Sequence, residues 1–251
     1  MLQPGEVFLA GVARVFAEAG CKGGFVNVEG GACDPFRYVL PAFSPDKEHA
    51  AWYSETFAPP AGGKFQAATA IFGERDGAPF VHCHGIWDTG EGGLRMGHVL
   101  PFDSVVSEPV PVRGYGSVKA TFDSIADSET NFTLFSAVGE SGPGNGILLR
   151  IRPNEDVATA IEEICVGHGV EKALIFGIGS IYEPVFEDGR RVACLATEIA
   201  IENGILEKTP DGPRARLDAA VVDTDGIIYR GRLARGDNPV GVTFELVIAG
   251  L

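Results

Sequence analysis

The chain has 251 residues, 45% of them hydrophobic and 22% charged, which is enough for two domains of modest size with separate cores. Its formal net charge of −14 disfavours nucleic acid as a partner, because such binding draws on cationic side chains that displace counterions. No run of Lys or Arg occurs, and the densest cluster, Arg190-Arg191 with Arg214 and Arg216 further on, is thin.

From the N-terminus, Pro4 to Gly20 predicts an amphipathic helix, opened by a proline and closed by a glycine, with Phe8, Val12, Val15 and Phe16 on one stripe. An apolar strand, Gly24-Phe-Val-Asn-Val-Glu-Gly30, follows. Glu29 at its end is a candidate general acid or base. The next segment, Cys33 to Phe57 within an insertion over about 33–63, is rich in proline and aromatics and reads as a lid over a site. In that lid Arg37 is a candidate for binding a substrate carboxylate and Tyr38 for donating a proton. His49 in the same segment is expected at the surface.

Phe80-Val-His-Cys-His-Gly-Ile-Trp-Asp-Thr-Gly-Glu-Gly-Gly-Leu-Arg-Met-Gly-His-Val99 carries three of the five histidines. On a strand His82 and His84 share a face and Cys83 points away. The glycine-rich turn after Asp88 predicts a hairpin that sets His84 roughly opposite His98. Three imidazoles so placed predict a metal site, and three neutral histidines with an open fourth position suit catalytic zinc or another divalent transition metal. Such an ion polarises a carbonyl or lowers the pKa of a bound water. Between Gly114 and Gly144, turn-like Asp-Ser-Glu-Thr and Gly-Glu-Ser-Gly-Pro-Gly-Asn-Gly flank a strand over 131–137, and another strand follows over 146–151. Part of this connector is expected to complete the first sheet.

The second half repeats the first. Pro153 to Gly169 matches Pro4 to Gly20 at a constant offset of 149, with Val157, Ile161, Ile164 and Cys165 on the helical stripe, and Ala173 to Gly179 gives the following strand. Glu29 falls on Ile178. Pro79 to Val99 then lies over Pro213 to Leu233 at an offset of 134, so the first copy holds fifteen extra residues between Gly31 and Lys64. Gly97 matches Gly231. The three histidines fall on Arg216, Asp218 and Arg232, which predicts a salt-bridged cluster in the place of the ion. Glu108 overlies Glu245 only with a further shift of three residues, and both are expected to serve the scaffold. His168 closes the second helix and is expected to play no part.

The second copy resembles the PPC family, named for plants and prokaryotes, through Arg150-Ile-Arg-Pro-Asn-Glu-Asp, Gly177-Ile-Gly-Ser, Asp225-Gly-Ile-Ile-Tyr-Arg-Gly and Val242-Thr-Phe-Glu-Leu-Val-Ile248. The first resembles it through Pro4-Gly-Glu, His82-Cys-His84 and Gly97-His98. The resemblance implies an α+β fold, here two tandem copies of an antiparallel β-sheet packed on an α-helix, and a homo-oligomer, commonly a trimer. Plant members bind DNA through AT-hooks; no AT-hook is recognisable here, and Arg230-Gly-Arg232 reads as strand. The broader fold is similar to that of acetolactate decarboxylase, which holds zinc through a His-x-His pair and a later histidine.

The domains expected are a metal-type copy over 1–118, a connector over 119–147 and a degenerate copy over 148–251. The function expected is that of a zinc-dependent lyase or hydrolase acting on a small carboxylated molecule. The alternatives are a DNA-binding regulator of the PPC type and a non-catalytic module for a small ligand or a metal. No apolar run approaches the roughly 18 residues of a membrane helix and the N-terminus lacks a basic secretory start, so a cytoplasmic protein without membrane contact is expected. The cysteines, Cys21, Cys33, Cys83, Cys165 and Cys194, show no framework and are expected reduced.

Overall fold

A computed structural model describes residues 1–251 apart from 141 and 143, so the glycine-rich turn read over 139–146 lies partly outside the described residues. The first half runs α1 (Phe8–Glu18), β1 (Gly23–Val28), β2 (Ala32–Cys33), β3 (Tyr38–Val39), β4 (Pro41–Ala42), β5 (Trp52–Tyr53), β6 (Gly63–Arg75), β7 (Ala78–Asp88), β8 (Leu94–Val99), β9 (Val106–Glu108) and β10 (Val112–Ser117). The connector supplies β11 (Ala120–Ala126) and β12 (Thr133–Gly139). The second half follows with β13 (Gly146–Ile151), α2 (Val157–Gly167), β14 (Ala173–Ile181), β15 (Glu198–Thr209), β16 (Gly212–Val222), β17 (Ile228–Arg232) and β18 (Val240–Gly250).

The strands form two large, mainly antiparallel sheets. One has β10-β1-β6-β7-β8-β3 as its main path, and the other runs β13-β18-β14-β15-β16-β17. After its helix each half lays down a central strand, a long hairpin, a short strand and a return strand in the same spatial order. The connector strand expected over 131–137 is β12, shifted two residues on. It pairs with β11, which meets β6 through one parallel bridge, Asp123 with Glu74.

Alternation along each strand builds three apolar layers. Phe8, Val12 and Phe16 of α1 pack on Val26, Ala70, Val81 and Cys83 on the outer face of the first sheet. Val157, Ile161 and Cys165 of α2 pack in the same way on Ile175, Leu217, Ala219 and Ile248 of the second. The inner faces meet each other: Phe25, Ile71, Ile86 and Met96 pack with Ile178, Ala200, Ala220 and Val247, and Phe25 stacks on Phe176 with ring centroids 4.2 Å apart. The molecule is layered helix, sheet, sheet, helix. Residues at even positions of β7, which include His82, His84 and Ile86, therefore face the second half.

The hairpin turn is fixed by local chemistry. Asp88 Oδ1 accepts the Gly90 N–H at 2.8 Å, and Gly90, Gly92 and Gly93 take positive φ, which β-carbons would strain. With that turn set, β7 and β8 pair His84 with His98 and Gly85 with Gly97.

Candidate metal centre

His82, His84 and His98 come together on the inner face of the first sheet, with one ligand atom from each lying within 4.8 Å of the others. Ring centroids are 4.6, 4.9 and 5.4 Å apart. The next position along β7 is on the opposite face: Cys83 is buried in the layer beneath α1, where burial pushes its thiol well above the usual range and away from the thiolate a metal would need.

Both contacts that orient the pair on β7 come from the second half. His84 Nδ1 lies 3.0 Å from the carbonyl oxygen of Ile199 on β15, and His82 Nδ1 lies 3.0 Å from Glu245 Oε2 on β18. A carbonyl only accepts, so His84 carries its hydrogen on Nδ1 and its Nε2 offers a lone pair. Yet His82 Nε2 and His84 Nε2 are 3.0 Å apart. With both Nδ1 atoms donating outward, two lone pairs would face each other unless a proton or a cation lies between them. Two nitrogens on a tetrahedral zinc, each about 2.0 to 2.1 Å from the ion, stand about 3.3 Å apart. His98 Nδ1, also buried, has no hydrogen-bond partner among the described residues. The donor set and the orphaned nitrogen both fit a divalent ion.

Electrostatics favour the neutral form of His84 and His98. Burial holds His84 and His98 well below the usual histidine value, and the His82 charge adds to the depression of both. Behind the site, Glu245 accepts from the Thr243 hydroxyl at 3.1 Å, Thr243 accepts from Arg150 Nε at 3.2 Å, and Arg150 Nη2 donates to Asp127 at 2.8 Å. In the row of His84, Thr69 donates to Asn27 Oδ1 at 2.9 Å. Glu198, at the start of β15, is buried with neither carboxylate oxygen hydrogen-bonded among the described residues, and burial holds it well above the usual carboxylate range.

The other expected site residues stand elsewhere. Glu29 lies just past the end of β1 with an exposed side chain. Tyr38 pairs with Val99, and its ring is buried against Phe57 and Trp87 in the layer under α1, so β3 turns it away from the histidines. Arg37 bonds the Phe36 carbonyl through Nη1, and the cation that acts on His98 is Arg75. His49 is half-buried, paired with Asp46 and packed against the rings of Trp52 and Phe132, outside the cluster of His82, His84 and His98. The expected lid meets the site along its edge, through Val39, which pairs with His98 on the backbone, and Tyr53, whose ring centroid is 5.1 Å from that of His98. The second sheet covers the histidines instead. In the second half Asp218 and Arg232 pair as expected, while Arg216 turns away to Glu207. Glu245 was expected only as scaffold, and its contact with His82 had no local signal. Glu198 had one, an acid opening the apolar run Ile199-Ala-Ile201.

Residues 138–251 match the model of the Plants and Prokaryotes Conserved (PCC) domain, the PPC family named above. The match spans the second half of the chain, from the end of β12 through β18 to residue 251. No curated protein matches it in sequence. Among solved structures, a PPC protein of Pyrococcus horikoshii is 20% identical, with 43% of this chain and 80% of that one covered and a TM-score of 0.36. A candidate DNA-binding protein of Bacteroides thetaiotaomicron is 20% identical, with 44% and 81% covered and a TM-score of 0.38. A metal-containing protein of Archaeoglobus fulgidus is 24% identical, with 45% and 84% covered and a TM-score of 0.34.

These findings correct the expectation of a metal-dependent lyase or hydrolase acting on a small carboxylated molecule. The second half matches the Plants and Prokaryotes Conserved domain and no enzyme family, and Glu29, Arg37 and Tyr38 do not assemble beside the histidines. No helix among the described residues is long and apolar enough to cross a membrane.

Proposed function

We propose that the chain is a DNA-associated regulatory protein of the PCC type, whose three-histidine cluster holds one divalent transition-metal ion, zinc first, in a non-catalytic role. The PCC match over 138–251 carries the reading, since plant members of the family that the sequence resembles bind DNA. The shared strand order of the two sheets supports tandem copies of one unit, with the ion in the first and the Asp218–Arg232 pair in the second. Three imidazoles from two paired strands, with two Nδ1 positions committed to acceptors, support zinc.

The chain's charge limits how DNA would be met. β17 is an edge strand, and with the loop that bonds to it through Arg190 and the Arg230 carbonyl it presents Arg190, Arg191, Arg230 and Arg232. Each is held by a surface carboxylate, from Asp188, Glu183, Glu202 and Asp218 in turn. Exposed pairs of this kind contribute little to stability, so phosphates can replace the carboxylates. Few contacts mean weak, strongly salt-dependent binding.

Fluorescence anisotropy with a labelled duplex tests this. The expected Kd at 50 mM salt is about 1–100 μM, weakening about 40-fold at 200 mM if three phosphates are contacted. The double variant Arg190→Glu, Arg230→Glu should lose the complex. No salt-sensitive complex at 50 mM would overturn the reading.

A further inference from the structure

We propose that Glu245 is a positioning residue for the metal centre, so that the PCC half of the chain sets the metal affinity of the other half. This rests on the metal reading above. The carboxylate belongs to β18, which lies 163 residues along the chain from His82, and it is fully buried where the two sheets meet.

The hydrogen bonds behind Glu245 give it one role. Arg150 can only donate, and its Nε–H goes to Thr243 Oγ1. The Thr243 hydroxyl hydrogen is thereby directed to Glu245 Oε1, and Oε2 is left to receive the hydrogen on His82 Nδ1. That leaves His82 Nε2 as the lone-pair atom pointing at His84 Nε2. A carboxylate that receives the far N–H of a metal-bound histidine fixes its tautomer and ring orientation and raises its basicity, and losing it usually weakens metal binding 10- to 100-fold. The Ile199 carbonyl does the same for His84 from β15. Two of the three ligands are thus oriented by the PCC domain. His98 has no such partner among the described residues.

The chain of contacts continues past Arg150. Its Nη2 reaches Asp127, whose other oxygen accepts from the Thr130 N–H and hydroxyl in the turn between β11 and β12. Asn131 in that turn donates to the Glu48 carbonyl of the insertion. The centre is therefore bonded, through the PCC half, to the connector and to the segment that carries Tyr53.

Cobalt(II) titration of the full-length chain, read by the visible bands of four-coordinate cobalt, tests the role. Wild type should bind one ion per chain, and Glu245→Gln and Glu245→Ala should bind one ion 10- to 100-fold more weakly. Thr243→Val, which removes one bond to the carboxylate, should cost about 2- to 10-fold and serves as the test if the Glu245 variants do not fold. Long-range nitrogen–proton NMR on the metal-free chain should place the His82 hydrogen on Nδ1 in wild type, with the preference lost in Glu245→Ala. Equal cobalt affinity in wild type and the folded Glu245 variants, or in wild type and Thr243→Val where those do not fold, overturns the positioning role alone. Wild type that takes up no cobalt removes the metal reading as well.

Discussion

Arg232 holds Asp218 across β17 and β16 with bonds of 2.9 and 3.2 Å, at the positions that His98 and His84 hold across β8 and β7. One hairpin scaffold thus carries an ion pair in one half and a metal-type cluster in the other. The pair is about one-third exposed and should stabilise the fold little. Asp218→Ala, Arg232→Ala and the double variant should melt within about 3 °C of wild type in differential scanning calorimetry.

Gly97 and Gly231 occupy matching places beside these residues and meet different neighbours. A β-carbon on Gly97 would lie 2.4 Å from the Val39 carbonyl oxygen, which is backbone paired to His98, whereas one on Gly231 would meet the ring of Phe186 at 2.8 Å. A side chain yields more readily than a paired strand. Gly97→Ala should lose about 1–3 kcal/mol in urea unfolding and weaken cobalt binding. Gly231→Ala should cost less and leave the metal affinity alone.

His84, buried, and His98, half-buried, set an acid limit on the metal-free fold. His84 and His98 are held well below 6.5 in the folded chain, so as pH falls through 6.5 the unfolded chain takes up protons that the folded chain refuses. Stability should fall with falling pH in that window, by up to about 1.4 kcal/mol per pH unit for each ring, and be unaffected by these rings above pH 7.5. Urea midpoints from pH 7.5 to 5.0 measure the slope. In His98→Gln it should be shallower.

Glu198 acts in the opposite direction. Its folded value lies well above 4.5, so above pH 4.5 the unfolded chain releases a proton that the folded chain keeps, and stability is lost as pH rises toward the folded value. Glutamine has the shape of the protonated acid. Glu198→Gln should be more stable than wild type at pH 7 to 8, with the gap closing as pH approaches 4.5. Thermal melts across that range that show no gap at pH 8 would contradict the assignment.

What could be read in the chain was local. Alternation on β7 sets His82 and His84 on one face with Cys83 on the other, and the Asp88 turn fixes the register that brings in His98. The same rules place Asp218 opposite Arg232. What could not be read depends on how the sheets stack. Glu245 and the Ile199 carbonyl reach the histidines from 163 and 115 residues away, across an interface of apolar side chains with no motif of its own. The insertion misled for a related reason: β3 pairs with β8 in the register that buries the Tyr38 ring, and the second sheet fills the place expected for a lid.

The central claim is that the histidines form one metal site per chain, and native mass spectrometry of the gently purified protein, with and without added zinc, tests it most directly. Wild type should gain one zinc ion per chain and His84→Ala none, with both folded by circular dichroism. Fewer than about 0.2 ions per wild-type chain, or equal loading in His84→Ala, would contradict it.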